Sequence, residues 1–197
     1  MGVAERVRVH EVKTLSDDWY LLKKTIFDFL RSDGSWQRQS RETYDRGDGA
    51  TILLYSPSTR TVVLVRQFRY PAFVNAWDDL LIETPAGLLE KADPEAAIRR
   101  EVEEETGFRP KRMQAVLQAF MSPGSVTERL HFFVAEYDPR DRASVGGGDR
   151  AEGEDIEVLQ IGIEDALSMV VAGEICDAKT IMLLQYAALN LFPVAGP

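Results

Sequence analysis

One cysteine and two histidines stand among 197 residues. A lone thiol, Cys176, has no internal partner, which excludes a disulfide-stapled scaffold and leads us to expect a reducing cytoplasm. His10 and His131 lack any ligand spacing, which removes a histidine-based zinc site. No apolar run is long enough to span a bilayer, and no secretory leader is recognisable. Positive charge is scarce too: 23 Lys and Arg against 32 Asp and Glu leave a net charge of −9. With no basic stripe to neutralise a phosphate backbone, neither nucleic acid nor a membrane surface is expected as a partner. A small phosphate ligand stays open, because it needs only a local Arg/Lys cluster or a bound cation.

What is present suffices for one good core, since 45% of the residues are hydrophobic. Val7 to Val12 alternates as a strand does, Trp19 to Leu30 is a second extended stretch, and Gln37 to Tyr44 is a third. Asp33-Gly34 turns between the last two. Residues 1–45 are therefore expected to form a small antiparallel sheet, with 46–197 as a second domain. Ala50 to Tyr55 and Thr61 to Arg69 read as near-continuous apolar strands, a pattern that implies burial on both faces. Leu80 to Glu83, Met113 to Met121, Leu130 to Tyr137 and Ile156 to Ile161 are further strands. Helices are expected over Ile163 to Ala172 and Asp177 to Phe192. The stretch from Asp138 to Asp155, with Gly146-Gly147-Gly148, reads as a long loop of the kind that is usually functional or disordered. Strands and helices mix without a regular βαβ rhythm, so an α/β/α sandwich around a mixed sheet is expected.

The stretch from Gly87 to Phe108 carries the chemistry. Asp93 is a good N-cap, Pro94 suits the first helical position and Gly107 suits the stop, so a helix is expected from Pro94 to Thr106. Its charges sit badly. Glu101, Glu103, Glu104 and Glu105 crowd the C-terminal half, where the helix dipole disfavours anions. Glu101, Glu104 and Glu105 are neighbours by spacing, and two unit charges about 5 Å apart repel by ~3 kcal/mol at an effective dielectric near 20. Glu105 projects beside Ile98 and Val102, on the apolar side. A hard divalent cation would relieve both problems. The plainer alternative is a solvated acidic face with Arg100 paired to Glu104.

These residues resemble the signature of the Nudix hydrolase superfamily, in which Gly, a spacer and an acidic residue precede Arg-Glu-apolar-x-Glu-Glu-x-Gly-apolar. Arg100-Glu101-Val102-Glu103-Glu104-Glu105-Thr106-Gly107-Phe108 matches the second half in full. The first half departs: Asp93 stands where Glu is usual, and the spacing from Gly87 to Arg100 is one residue short. Other stretches resemble one branch, the dimeric ADP-ribose and GDP-mannose hydrolases. They are Arg41-Glu42-x-Tyr44-Asp45-Arg46-Gly47, Arg66-Gln67-Phe68-Arg69, Met121-Ser122-Pro123-Gly124-x-Val126-Thr127-Glu128 and Lys179-Thr180.

The resemblance implies a domain-swapped homodimer and Mg²⁺- or Mn²⁺-dependent cleavage of a nucleoside diphosphate sugar. GDP-mannose, giving GMP and mannose 1-phosphate, comes first. ADP-ribose, giving AMP and ribose 5-phosphate, is the alternative. It implies metal binding by the Ala86 carbonyl, Glu101 and Glu105, with Glu104 a further or water-mediated ligand. Glu154 takes the place of a loop glutamate that completes the metal site or activates water, and Glu152 is its rival. Substrate contacts fall on Arg69, Ala86, Gly87, Glu105, Glu128, Gly153 and Lys179. Trp19, Ser40, Arg41 and Glu42 would reach the nucleotide across the dimer. Taken alone, Arg69 is as well read as a surface ion pair, Lys179 as a solvated helix charge and Trp19 as a core or interface aromatic. Two other classes compete: a sensor that binds without cleaving, and an acidic interaction domain, which would leave the inward Glu105 unexplained.

Overall fold

A computed structural model of the protein describes residues 2–192 apart from Glu90 and Asp141, and for Glu152 the backbone alone. The chain forms two compact units, one of residues up to 48 together with 120–129, the other of 49–119 and the residues from 130 onward.

The first unit is an antiparallel meander of β1 (Val7–Asp17), β2 (Leu21–Leu30) and β3 (Trp36–Asp45). The β2–β3 register runs unbroken from Leu21 opposite Asp45 to Leu30 opposite Trp36. The β1–β2 register slips twice, between Val9 and Glu11 and between Thr14 and Ser16. The 120–129 segment joins the far end of β3. Tyr44 N donates to Ser125 O at 2.8 Å, Thr127 N donates to Tyr44 O at 3.1 Å, and Asp48 Oδ1 accepts from Arg129 N at 2.8 Å.

The second unit holds a mixed sheet in the order β10-β5-β4-β9-β8, made by β4 (Gly49–Ser56), β5 (Thr61–Gln67), β8 (Met113–Phe120), β9 (Arg129–Glu136) and β10 (Glu157–Gly162). Strands β4 and β5 are buried nearly end to end, as their apolar runs imply. β4 and β9 are parallel and the β4–β5 pair is antiparallel. That pair holds only from Leu54–Val63 to Ser56–Thr61 and then opens. Two short strands line the opening, one where the sequence indicates a strand and one where it does not. β6 (Leu81–Glu83) continues along β5, and β7 (Ala86–Leu88) continues along β4.

Helix α2 (Pro94–Thr106) covers one face. The core beneath it includes Ile52, Leu54, Val63, Ile98, Val102, Phe108 and Phe133. α4 (Ala178–Asn190) packs on β4 and β6, and α3 (Ile163–Ala172) packs on α4 and β10. A fourth helix, α1 (Tyr70–Val74), follows a strand shorter than the sequence suggests: β5 stops at Gln67 and Arg69 is the helix N-cap. Among the described residues no helix is long and apolar enough to cross a membrane.

α2 begins and ends as its capping residues dictate. Asp93 accepts from Glu95 N and Ala96 N at 3.1 and 3.2 Å, and Gly107 closes the helix in the left-handed conformation at φ 78°. The Gly-rich loop then satisfies carbonyls that a helix end leaves without partners. Gly147 N donates to Glu105 O at 2.9 Å, Gly148 N to Glu104 O at 3.2 Å, and Arg142 Nε to Thr106 O at 3.1 Å. The first half of that loop is therefore tied to α2. Its second half carries the 3-10 turn Arg150–Glu152.

Gly107 tests how closely loop and helix approach. A Cβ there would stand 2.1 Å from Ser144 O, whereas one on Gly173, at a similar φ of 81°, would meet nothing within 4 Å. Gly107→Ala is expected to cost ~2–3 kcal/mol and Gly173→Ala ~1 kcal/mol, the left-handed penalty alone. Thermal unfolding checks the order; equal losses would mean that the loop does not press on the helix end.

Candidate active site

Where β4 and β5 part, the Thr84-Pro85 link crosses the gap and is bonded from both sides. Ile52 N and Thr51 Oγ1 both donate to Pro85 O at 3.0 Å. Thr84 N donates to Thr180 Oγ1 at 2.7 Å, which ties the link to the first turn of α4. Thr180 Oγ1 donates in turn to Asp177 Oδ2 at 2.6 Å, and Asp177 caps α4. This buried threonine chain fixes the start of β7, and with it Ala86 and Gly87. A Cβ on Gly87 would lie 2.4 Å from Glu101 Cγ and Cδ, so glycine here makes room for the Glu101 side chain.

The α2 glutamates divide as the helical spacing dictates. Glu103 faces out to Arg109 at 2.6 Å. Glu104 is exposed, with Arg100 Nε 4.0 Å away. Glu101 is mostly covered and takes a 2.8 Å bond from Arg100 Nη2. Glu105 is 2% exposed, and its Oε2 is buried without a hydrogen-bond partner. Burial pushes the Glu105 carboxyl well above the usual 4.5, and repulsion from Glu154 and Glu101 adds to it while Arg69 opposes. Glu101 is raised in the same direction by burial, against its bond from Arg100.

Glu154, on the Gly-rich loop, accepts at Oε2 from Asp149 N at 2.9 Å, and Gly148 lies against it. Gly153 precedes it in the left-handed conformation at φ 79°. The side chain of its rival, Glu152, lies outside the described residues.

Two charge-relieving groups suit these glutamates, a proton or a cation. Carboxylate oxygens suit Mg²⁺ or Mn²⁺. Among the described residues no three acidic, histidine or cysteine side chains are drawn together tightly enough to hold an ion as they stand. Mg²⁺ commonly takes only one or two carboxylates and completes its shell with water and substrate phosphate oxygens. A buried, unbonded carboxylate oxygen flanked by two like charges fits that demand.

Cations lie close by. Arg69 Nε donates to Glu83 Oε2 at 2.7 Å, and Lys179 Nζ donates to Glu83 Oε1 at 2.6 Å. Lys179 also reaches Asp177 Oδ2 at 3.1 Å. Burial alone would raise Glu83, yet Lys179 and Arg69 outweigh it and hold the carboxyl below its usual range. Arg69 is shifted up by Glu83, with a contribution from Glu105, against the pull of its own desolvation. Lys179 is thus a nearly buried, doubly paired amine rather than a solvated helix charge. Glu83 is the residue that sequence reasoning missed. Its one local signal is a carboxylate ending the apolar run Leu80-Leu81-Ile82.

The remaining candidates belong to the first unit. Trp19 is 80% exposed and meets Tyr20 edge-on. Ser40, Arg41 and Glu42 are exposed on β3, where Arg41 Nη1 donates to Ser40 O at 2.8 Å. Glu128, mostly covered, sits 3.5 Å from Arg46 Nε.

Comparison with known proteins fits this geometry. The GDP-mannose pyrophosphatase NudK N-terminal domain matches residues 6–44, and the NUDIX domain matches residues 45–173. Among similar curated proteins is the GDP-mannose pyrophosphatase of Pectobacterium atrosepticum, 51% identical over 185 residues, covering 93% of this chain and 95% of the relative. That of Salmonella typhimurium is 48% identical and covers 93% of this chain and 96% of the relative. That of Salmonella arizonae is 48% identical over 189 residues, covering 95% and 98%. With a domain match over most of its length and relatives this similar from end to end, the chain belongs to the Nudix hydrolase family.

Proposed function

We propose that this Nudix hydrolase cleaves the diphosphate of nucleoside diphosphate sugars, converting GDP-mannose to GMP and mannose 1-phosphate. The observation that carries the reading is the pairing, within one unit, of a buried unbonded carboxylate with two cationic side chains, Arg69 and Lys179. Glu105 lies close enough to Arg69 for each to shift the other's titration. The GDP-mannose pyrophosphatases that match over nearly their whole length support the choice of substrate. They favour it over ADP-ribose.

Arg69 and Lys179 would take the diphosphate oxygens, Arg69 through its planar fork. Glu101, Glu105, the Ala86 carbonyl and Glu154 would hold divalent metal, Mg²⁺ first and Mn²⁺ next. When bound, such an ion offsets diphosphate charge and lowers the pKa of a coordinated water. Glu154 is the first choice to accept the proton of the attacking water, with Glu152 and Glu104 as alternates. Gly87 lets Glu101 pack against β7, and the threonine chain keeps Ala86 at a fixed height. In the homodimer we propose, the sheet of residues 1–45 is the dimerisation element of a catalytic domain over 46–197. Its Trp19, Ser40, Arg41 and Glu42 would reach the nucleotide bound by the partner. Glu128, Gly87 and Gly153 would complete the substrate contacts. The lone Cys176 suits a reducing cytoplasm.

Turnover with Mg²⁺ across GDP-mannose, GDP-glucose, ADP-ribose, ADP-glucose and UDP-glucose, with products identified by mass, tests the reaction. GMP and a sugar phosphate, best from GDP-mannose, are expected, and Glu101→Gln or Glu105→Gln should lower turnover by roughly 100-fold or more. ADP-ribose as best substrate would overturn the specificity, and a thermal shift without cleavage would point to a sensor.

The raised titration of Glu105 sets a sign for stability. Its folded carboxyl holds a proton more tightly than the unfolded one, so metal-free protein should lose stability as pH climbs from about 4.5 through the raised value. Glu105→Gln should flatten that decline, and Mg²⁺ should raise the melting temperature of the native chain most at the alkaline end. A Mg²⁺ shift that is equal at all pH values would detach the ion from these carboxylates. Sedimentation at micromolar concentration should show a dimer; a monomer would remove the cross-subunit roles of Trp19, Arg41 and Glu42.

A further inference from the structure

The buried carboxylate of Glu83 has no place in the chemistry proposed so far, yet it bridges the two cations of the site. It is 4% exposed, and each of its oxygens takes one cation: Oε1 the Lys179 amine at 2.6 Å, Oε2 the Arg69 Nε at 2.7 Å. The three residues come from three elements. Arg69 caps α1, Glu83 ends β6, and Lys179 stands in the first turn of α4. Neighbouring bonds hold β6 and α4 together. Thr84 N is bonded to Thr180, and Asp177 Oδ2 holds Lys179 Nζ from its other side at 3.1 Å.

We infer that Glu83 is a positioning residue, which sets Arg69 and Lys179 one carboxylate apart so that their remaining N–H groups receive the two phosphates of a diphosphate. The inference rests on the substrate reading above. The bonding pattern bears on it directly. Glu83 engages Arg69 through Nε, which among the described residues leaves both Nη groups for another acceptor, and the Arg69 side chain stays 41% exposed. Lys179 donates to Glu83 and pairs with Asp177, and among the described residues it makes no further hydrogen bond. Without the intervening carboxylate, two cations would be left to repel each other and swing apart. A site for a dianionic ligand would then hold the right charge in the wrong place.

This gives a sign that simple charge counting does not. An acid beside an anion site ought to weaken anion binding, so its removal should tighten binding if only net charge mattered. The positioning role requires the opposite. It also requires distance to matter at constant charge, which Glu83→Asp probes by keeping the carboxylate and shortening its reach. Wild type, Glu83→Asp and Glu83→Gln would be compared in GDP-mannose kinetics with Mg²⁺, in thermal unfolding, and in calorimetric titration with GDP.

Glu83→Asp is expected to melt near wild type while KM and the GDP dissociation constant rise about tenfold, with kcat changed far less. Glu83→Gln should weaken GDP binding at least as much. Should Glu83→Gln not fold, Glu83→Asp decides alone. Unchanged or tighter GDP binding in Glu83→Asp overturns the inference. If wild type cleaves no nucleotide sugar, the substrate reading fails, and the GDP titrations still decide the role of Glu83. Absence of GDP binding by wild type overturns it outright.

Discussion

Putting the Glu105 carboxylate under the sheet-facing side of α2 is the constraint around which the second unit is arranged. The position is unfavourable three times over: it is desolvated, it is near the negative end of a helix dipole, and Glu101 and Glu154 lie close by. Apolar burial of Ile98 and Val102 on the same helical face holds it there, because α2 cannot dock those side chains without carrying Glu105 inward. The strain is local and the anchoring is spread along the helix. Loop donors on the α2 carbonyls ease the dipole but leave the carboxylate oxygen untouched. What would satisfy that oxygen has to come from outside the fold.

The sheet supplies the matching half. Because β4 and β5 separate past Leu54 and Val63, the interior opens to a backbone link rather than to side chains alone. Threonines suit such a place. Each hydroxyl both gives and receives, so Thr51, Thr84 and Thr180 can bond one another in the absence of water. Glu83 rather than Glu105 is the main counter-ion of Arg69.

Much of this was legible in the sequence, because the determinants are local. Asp93, Pro94 and Gly107 bracket α2, and the spacing of Ile98, Val102 and Glu105 orients it. The apolar runs of β4 and β5 declare their burial. The misses are non-local or short. α1 and β7 are only five and three residues long, and neither offers a period to detect. Glu83 finds its partners 14 and 96 positions away, so no spacing rule could pair them. The loop from Asp138 reads as functional or disordered, but its Gly146-Gly147-Gly148 run lies against the end of α2. The tight approach that explains Gly146 exists only once the chain is folded, since a Cβ there would come within 2.4 Å of Glu105 O.

The two register slips in β1 bear on how the first unit meets other chains. An edge strand of eleven residues would ordinarily offer a long row of open hydrogen-bonding groups to any stray extended peptide. Each slip twists the strand and interrupts the even repeat that a docking strand must match. β1 is therefore a poor template for indiscriminate strand addition. Val9, Val12 and Leu15 are exposed along it, so recognition there rests on side chains more than on the backbone ladder.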